Sequence, residues 1–122
     1  NNPDMLLSWL NKGILLQVNG SSITGLMGER VKRIADLLLA NNLVHFVGSD
    51  AHSIHRRTPD ITEALSRTEQ YTDREQTERL VVDYPQYVMN SEDIEPIDIP
   101  DHIRLHRQSW LGRFFNKIYR VS

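Results

Sequence analysis

The apolar residues of the first 50 positions alternate between helical and strand-like patterns. Residues 1–11 carry apolar side chains at helical spacing, and Gly13 follows as a residue suited to ending a helix. Residues 14–19 and residues 44–47 are short apolar runs that predict two buried strands. Gln17 is the polar residue inside the first run, and we interpret it as the donor or acceptor of a structural hydrogen bond.

An amphipathic helix is predicted between the two strands. Its apolar face consists of positions spaced by three and four residues: Met27, Val31, Ile34, Ala35, Leu38 and Leu39. Asn41 and Asn42 are predicted to end it. Residues 20–25 are predicted to be a loop rich in glycine and hydroxyl groups, suited either to ordinary helix capping or to phosphate binding at a helix start. A strand–helix–strand unit favours parallel strand pairing, which makes the predicted fold class α/β.

Further helices are predicted in the second half of the chain. Residues 58–60 (Thr-Pro-Asp) have the composition of a helix start. Thr72 and Glu75 have the spacing of a capping box, which predicts another helix that ends before residues 84–85 (Tyr-Pro). Residues 93–103 contain Pro96 and Pro100 among several carboxylates and are predicted to be an acidic linker.

The composition narrows the class of protein. The 122 residues suffice for one domain or for part of a larger one, and 39% hydrophobic with 25% charged residues is typical of a soluble globular protein. The absence of cysteine excludes disulfides and thiolate metal sites and is compatible with a cytoplasmic location. No apolar run approaches the roughly 20 residues of a membrane helix. Because the chain starts at Asn1 within a helix-like pattern, we expect it to be the C-terminal piece of a longer protein.

Charge is distributed unevenly along the chain. Residues 1–103 hold all 16 carboxylates against nine Lys and Arg, whereas residues 104–122 hold five Lys and Arg and no carboxylate. The acidic body disfavours nucleic-acid binding. The tail, residues 104–122, is predicted to form an amphipathic helix that contacts anionic lipid, docks on a partner or packs on the acidic body. Its apolar face comprises Trp110, Leu111, Phe114, Phe115, Ile118 and Tyr119.

The most chemically informative residues follow the second predicted strand. Asp50 and His52 are two residues apart, so in an extended chain their side chains share one side. A carboxylate and an imidazole are ligands for Zn, Mn or Fe, and α/β folds carry their chemistry at the carboxyl ends of strands. A turn-capping Asp with a hydrogen-bonded His would explain the same pair. His55, Arg56 and Arg57 follow, where they could hold an anion beside a metal.

The run GILLQVNGSSITGLMGERVKRIADLLLANNLVHFVGSDAH, with Arg57-x-Pro59 after it, resembles the polymerase-and-histidinol-phosphatase (PHP) superfamily. It is most similar to the bacterial capsule-type protein tyrosine phosphatases (CpsB/YwqE type), and the resemblance extends over residues 1–92. It implies that these residues are the C-terminal portion of a distorted (β/α)7 barrel. It also implies a cluster of divalent metals, commonly manganese, at the carboxyl ends of the strands.

By this resemblance Asp50 and His52 match the last two metal ligands, and Arg57 matches an arginine that binds the phosphate. Arg56 is a second candidate for the anion, and His55 has no implied role. The implied reaction is hydrolysis of phosphotyrosine in a protein without a cysteine nucleophile. The implied substrates are membrane-associated bacterial tyrosine kinases that control exopolysaccharide export, which the enzyme would meet at the inner face of the membrane.

The family's His-x-His motif, its Glu ligands and a further His have no counterpart in this chain. We therefore expect the isolated chain to bind metal weakly, to show little phosphatase activity and to cover its open strand edges by self-association. Two alternatives stay open. One is a phosphatase for histidinol phosphate or another small ester, and the other is a non-catalytic module that docks on membrane or a partner through residues 104–122.

Overall fold

The computed structural model describes residues 3–52, 60–101 and 103. The chain divides into two compact units. The larger unit is Leu15–Ile94, and the other joins Asn1–Ile14 to Glu95–Ser122. All the strands of the described residues, and with them Asp50 and His52, belong to the larger unit.

Two parallel strands form the sheet of the larger unit, β1 (Gln17–Asn19) and β2 (Phe46–Gly48). Parallel pairing confirms the prediction for a strand–helix–strand unit. Both strands are shorter than predicted, because the ladder begins only where the backbones come together, with the N–H groups of residues 45 and 46 donating to the Leu16 carbonyl. Ile14 and Leu15 are exposed, so the prediction that they lie in a buried strand is wrong.

The two faces of this sheet differ in polarity. The register pairs Val18 with Val47, and both side chains are buried. Gln17 and Asn19 alternate with Val18 and therefore lie on the opposite face of the strand. Gln17 is exposed there, which corrects the prediction that it lies inside a buried strand. It does make the expected hydrogen bond, from its Nε2 to Asn19 Oδ1 at 3.1 Å.

A buried histidine lies beside the start of the ladder. His45 is 2% exposed, and its Nδ1 accepts a hydrogen bond of 2.9 Å from the Leu16 N–H. Nδ1 therefore carries no proton, and the proton of the neutral ring is on Nε2. Among the described residues, Nε2 has no hydrogen-bond partner. Burial lowers the pKa of the His45 imidazole, because charging the ring would break the bond from Leu16 and bury an uncompensated cation.

This histidine is expected to make folding pH-dependent. Its pKa is about 6.5 in the unfolded chain and lower in the folded one, so the unfolded state binds more protons as the pH falls below 6.5. The stabilisation present above pH 6.5 is therefore lost on acidification, by at most about 1.4 kcal/mol per pH unit. Urea unfolding between pH 8 and pH 5 should show a smaller pH dependence for His45→Gln than for the unsubstituted chain. Equal pH dependence would contradict this assignment.

The segment after β1 contains one more helix than predicted. Residues 20–25, predicted to be a loop, form the single-turn helix α2 (Gly20–Thr24), which Gly25 ends with φ of 91°. A Cβ at Gly20 would lie 3.2 Å from the Ala64 Cβ, so this glycine permits a close approach to residue 64. One turn is too short to produce a helical periodicity in the sequence, which explains the wrong prediction.

The predicted amphipathic helix is confirmed as α3 (Glu29–Ala40). It buries Ala35, Leu38 and Leu39. Met27 is exposed and precedes the helix, which corrects its assignment to the apolar face. Asn41 caps the end as predicted, and its Nδ2 donates to the Leu37 carbonyl at 2.7 Å.

Two helix starts differ from prediction. α4 (Thr62–Thr68) begins later than the predicted start at residues 58–60, and Asp60 Oδ1 accepts from the Thr62 N–H at 2.9 Å. Residues 58 and 59 lie outside the described residues. α5 (Arg74–Glu78) is capped by Asp73, whose Oδ1 accepts from the Gln76 N–H at 2.7 Å, and not by Thr72. The predicted start is thus one residue too early, because the Asp73 carboxylate is the capping acceptor that the prediction assigns to Thr72.

The helix does not end before Pro85. A π-helical segment (Arg79–Asp83) follows α5, and α6 (Tyr84–Met89) continues from it. The Tyr84 N–H donates to the Arg79 carbonyl, five residues back. This wider turn accommodates the proline, which has no N–H and would crowd the carbonyl four residues earlier. The Tyr84 ring meets the Phe46 ring edge-on, with centroids 6.5 Å apart, and so joins this segment to β2.

In the other unit, α1 (Pro3–Asn11) confirms the first predicted helix and buries Leu7 and Leu10. Gly13 follows with φ of 78°, as expected of a residue after a helix end. Residues 92–100 contain no helix or strand, although Ile99 is buried. No helix among residues 3–52, 60–101 and 103 has the length and apolarity needed to span a membrane. The predicted tail helix, residues 104–122, lies outside these residues.

Candidate metal and phosphate site

The candidate site lies where both parallel strands end. Asn19 is the last residue of β1, and Asp50 follows β2 by two residues. Because the strands are parallel and Asn19 pairs with Gly48, their carboxyl ends meet at one edge of the sheet. This is the edge at which open α/β folds place their ligands.

Asp50 and His52 lie next to each other at this edge, although Asp50 does not have the extended backbone on which the spacing argument relied. His52 Nδ1 lies 2.6 Å from the Asp50 carbonyl oxygen and 3.6 Å from Asp50 Oδ1. A carbonyl oxygen only accepts hydrogen bonds, so Nδ1 donates in this contact, and in the neutral ring Nε2 then carries the lone pair. The His52 side chain is 63% exposed. The imidazole is therefore oriented by the Asp50 backbone through Nδ1, and Nε2 is its candidate ligand atom.

The backbone at Asp50 has an unusual conformation. Its φ is +47°, in the left-handed region that few residues other than glycine adopt, although Asp tolerates it better than most. Such conformations cost of order 1–3 kcal/mol and cluster at functional sites. At Asp50 the left-handed conformation turns the backbone away from the direction of β2. It allows the carboxylate and the carbonyl of Asp50 to face His52.

The Asp50 carboxylate is also held from the neighbouring strand. Asn19 Nδ2 donates to Asp50 Oδ2 at 3.0 Å, and Gln17 Nε2 donates to Asn19 Oδ1 at 3.1 Å. Neither Gln17 nor Asn19 is predicted from the sequence to neighbour Asp50. The period of two between them indicates a shared face, but the partner across 31 positions depends on the strand register.

The donor set fits part of a divalent metal site. A carboxylate oxygen and a neutral imidazole are ligands for Mn, Zn or Fe, and an imidazole that gives its other N–H to a carbonyl is the usual arrangement of a metal-binding histidine. Within the described ranges, no group of three or more His, Cys, Asp or Glu residues comes together. Asp50 and His52 would thus contribute two ligands, and the remainder would come from elsewhere.

The predicted phosphate-binding residues, Arg57 and Arg56, lie outside the described residues, as does His55. Their roles stay predictions. Asp60 is the first described residue after them, and it begins the approach to α4.

Comparison with known proteins gives a consistent result. Residues 1–90 match the model of the family described as capsular polysaccharide synthesis, CpsB/CapC. The chain is 38% identical over 64 residues to the tyrosine-protein phosphatase YwqE of Bacillus subtilis, covering 52% of this chain and 25% of that protein. It is 39% identical over 56 residues to the putative tyrosine-protein phosphatase CapC of Staphylococcus aureus, covering 46% of this chain and 22% of that protein.

The structure agrees with these sequence similarities. A chain from the crystal structures of YwqE from Bacillus subtilis and CpsB from Streptococcus pneumoniae, described as unique metal-dependent tyrosine phosphatases, matches it with a TM-score of 0.71 at 29% identity. The match covers 81% of this chain and 40% of that one. The chain spans about a quarter of the length of the curated relatives it matches.

Proposed function

The chain belongs to the CpsB/CapC family of capsular polysaccharide synthesis proteins, and on this premise we propose that it forms part of a metal-dependent protein tyrosine phosphatase. Because the chain spans about a quarter of its curated relatives, the proposal concerns a polypeptide of their length in which this chain supplies one edge of the active site. The fold we propose for that polypeptide is the PHP-type (β/α)7 barrel, of which the two parallel strands would be a part.

One observation carries the proposal. Asp50 and His52 converge at the common carboxyl edge of two parallel strands, with the His52 imidazole oriented by a backbone carbonyl. The left-handed backbone of Asp50 brings its carbonyl and its carboxylate toward the same imidazole. A metal-binding imidazole commonly donates its other N–H to a carbonyl, and this likeness supports the proposal that both residues bind a cation.

The residues of this chain have separate roles in the proposed reaction. Asp50 and His52 would hold divalent metal, with Mn²⁺ as the proposed ion. When bound, such an ion supplies Lewis acidity toward phosphoryl oxygens. Arg57 would bind the phosphoryl group through its two-pronged guanidinium and neutralise the charge that develops there, with Arg56 as a second cation. The chain contains no cysteine, so it supplies no thiol nucleophile.

We propose that the substrate is a phosphotyrosine protein, namely a bacterial tyrosine kinase of the exopolysaccharide system. The expected result is a kcat/KM at least about tenfold higher for a phosphotyrosine peptide than for histidinol phosphate, assayed with Mn²⁺ on the full-length protein. A phosphoserine peptide of the same sequence is the matched control and should be a poor substrate. Preference for histidinol phosphate would replace the tyrosine assignment with a small-molecule phosphatase.

The location we propose is the cytoplasmic side of the membrane. Support comes from the charge of residues 104–122, which combine five Lys and Arg with aromatic and aliphatic side chains. Binding to anionic liposomes that is lost when these residues are deleted would support this location. Unchanged binding would remove the tail from it.

A further inference from the structure

We propose that Asn19 and Gln17 are positioning residues that hold the Asp50 carboxylate in the orientation in which it binds metal. The proposal rests on the proposed function, because it takes Asp50 as a ligand. It assigns a role to two neutral side chains on β1, which contribute no ligand atom of their own to the candidate site. We call these two hydrogen bonds, from Gln17 to Asn19 and from Asn19 to Asp50, the amide relay.

The direction of the amide relay follows from the chemistry of its ends. A carboxylate only accepts hydrogen bonds, so the group that Asn19 turns toward Asp50 Oδ2 at 3.0 Å must be its NH2. The Asn19 carbonyl oxygen then points away from Asp50 and needs a donor. Gln17 Nε2 supplies it at 3.1 Å. The carboxylate thus fixes the amide orientation of Asn19, Gln17 supports that orientation by donating to the Asn19 carbonyl, and the Asn19 NH2 holds Asp50 Oδ2 in one position.

Gly48 provides the space in which the relay lies. A Cβ at Gly48 would stand 3.2 Å from Gln17 Nε2 and 3.3 Å from Gln17 Cδ, which is tighter than ordinary side-chain contacts. Gly48 has no positive φ, so the need for glycine here is spatial and not conformational. The Gln17 amide therefore lies over the backbone of β2 at Gly48, two residue pairs along the ladder from the Gln17–Phe46 pair.

The two carboxylate oxygens of Asp50 have different neighbours. Oδ2 accepts from Asn19, and Oδ1 lies 3.6 Å from the His52 ring. Asp50 follows the strand in a left-handed conformation, and its side chain is partly exposed. A charge-assisted hydrogen bond from Asn19 restricts rotation of the carboxylate. Such outer partners typically change metal affinity by about 10- to 100-fold.

The first measurement is Mn²⁺ affinity of the full-length protein by titration calorimetry. Asn19→Leu, which keeps the volume and removes the donor, should weaken Mn²⁺ binding about tenfold. Gln17→Leu should weaken it less, because it frees the Asn19 amide to turn without removing the donor. Asn90→Leu is the matched control, because Asn90 Nδ2 makes the same kind of bond to Glu92 Oε1 at 2.9 Å and should leave affinity unchanged. Unchanged affinity in Asn19→Leu would overturn the proposal.

A second measurement is independent of metal. In NMR spectra of the metal-free full-length protein, the side-chain NH2 of Asn19 should have one proton shifted downfield and slowly exchanging, and both features should disappear in Asp50→Ala. Thermal unfolding of the same variants shows whether a loss of affinity reflects unfolding. An Asn19 NH2 signal that Asp50→Ala leaves unchanged would show that the relay is absent in solution.

The two proposals can fail separately. If Asp50→Asn leaves Mn²⁺ affinity unchanged, the metal-ligand role of Asp50 in the proposed function is wrong. If Asp50→Asn weakens affinity and Asn19→Leu does not, the function stands and the positioning role is wrong. Where the role is right, the tenfold effect of Asn19→Leu should shrink in the Asp50→Asn background, because the two residues act through one contact.

Discussion

Replacing Asp50 with alanine in the full-length protein is expected to lower kcat/KM for a phosphotyrosine peptide by about 1,000-fold or more. Charge stabilisation by a metal ion contributes several kcal/mol to a transition state, and each 1.4 kcal/mol corresponds to a factor of ten. Asp50 is the carboxylate of the candidate site, and the Asn19 amide and the His52 ring are both arranged around it. Its removal would take away one proposed metal ligand and the carboxylate that accepts the hydrogen bond from Asn19.

The measurement is phosphatase turnover and Mn²⁺ affinity on the same preparation, with thermal unfolding as a check on folding. Asp93→Ala is the matched control, because Asp93 is an exposed aspartate in the irregular segment after α6. It should leave both quantities unchanged. If Asp50→Ala retains turnover and metal, the assignment of Asp50 as a metal ligand is wrong. If the unsubstituted full-length protein itself shows no turnover with Mn²⁺, a non-catalytic docking module becomes the better account.

Replacing Arg57 with alanine is expected to lower kcat/KM by about 100- to 1,000-fold, the cost of removing one preorganised donor to a developing anion. Arg57→Lys should recover only part of the loss, because an ammonium keeps the charge and loses the two parallel N–H donors. Mn²⁺ affinity should be unchanged in both variants, since Arg57 is proposed to bind the phosphoryl group and not the ion. This separates its role from that of Asp50.

Arg56→Ala is the neighbouring control for this experiment, with an expected effect below about tenfold, typical of a cation that adds charge without direct contact. If Arg56→Ala lowered kcat/KM more than Arg57→Ala does, Arg56 would be the residue that binds the phosphoryl group. A loss of Mn²⁺ affinity in Arg57→Ala would place that residue in the metal site or in its support.

Several elements could be predicted from local pattern because short-range physics decides them. The period of α3 specifies its buried face, and Gly13 takes the left-handed conformation expected after α1. Pro85 shows the limit of such reasoning. Proline predicts a helix end, but the π-helical segment before it removes the clash, and packing of Tyr84 against Phe46 favours the continued helix.

Sequence alone indicated that Asp50 and His52 follow the second strand and lie near each other. Their actual contact depends on the left-handed backbone of Asp50, which brings its carbonyl to the His52 ring and is not the extended conformation on which the spacing argument relied. The sequence did not determine what stands beside them. Asn19 contacts Asp50 because β1 and β2 pair in the register that places Asn19 opposite Gly48. The Gln17 amide lies beside Gly48, where any other residue would place a Cβ against it. Register is set by the burial of Val18 and Val47 on the other face of the sheet, which is a property of the folded chain.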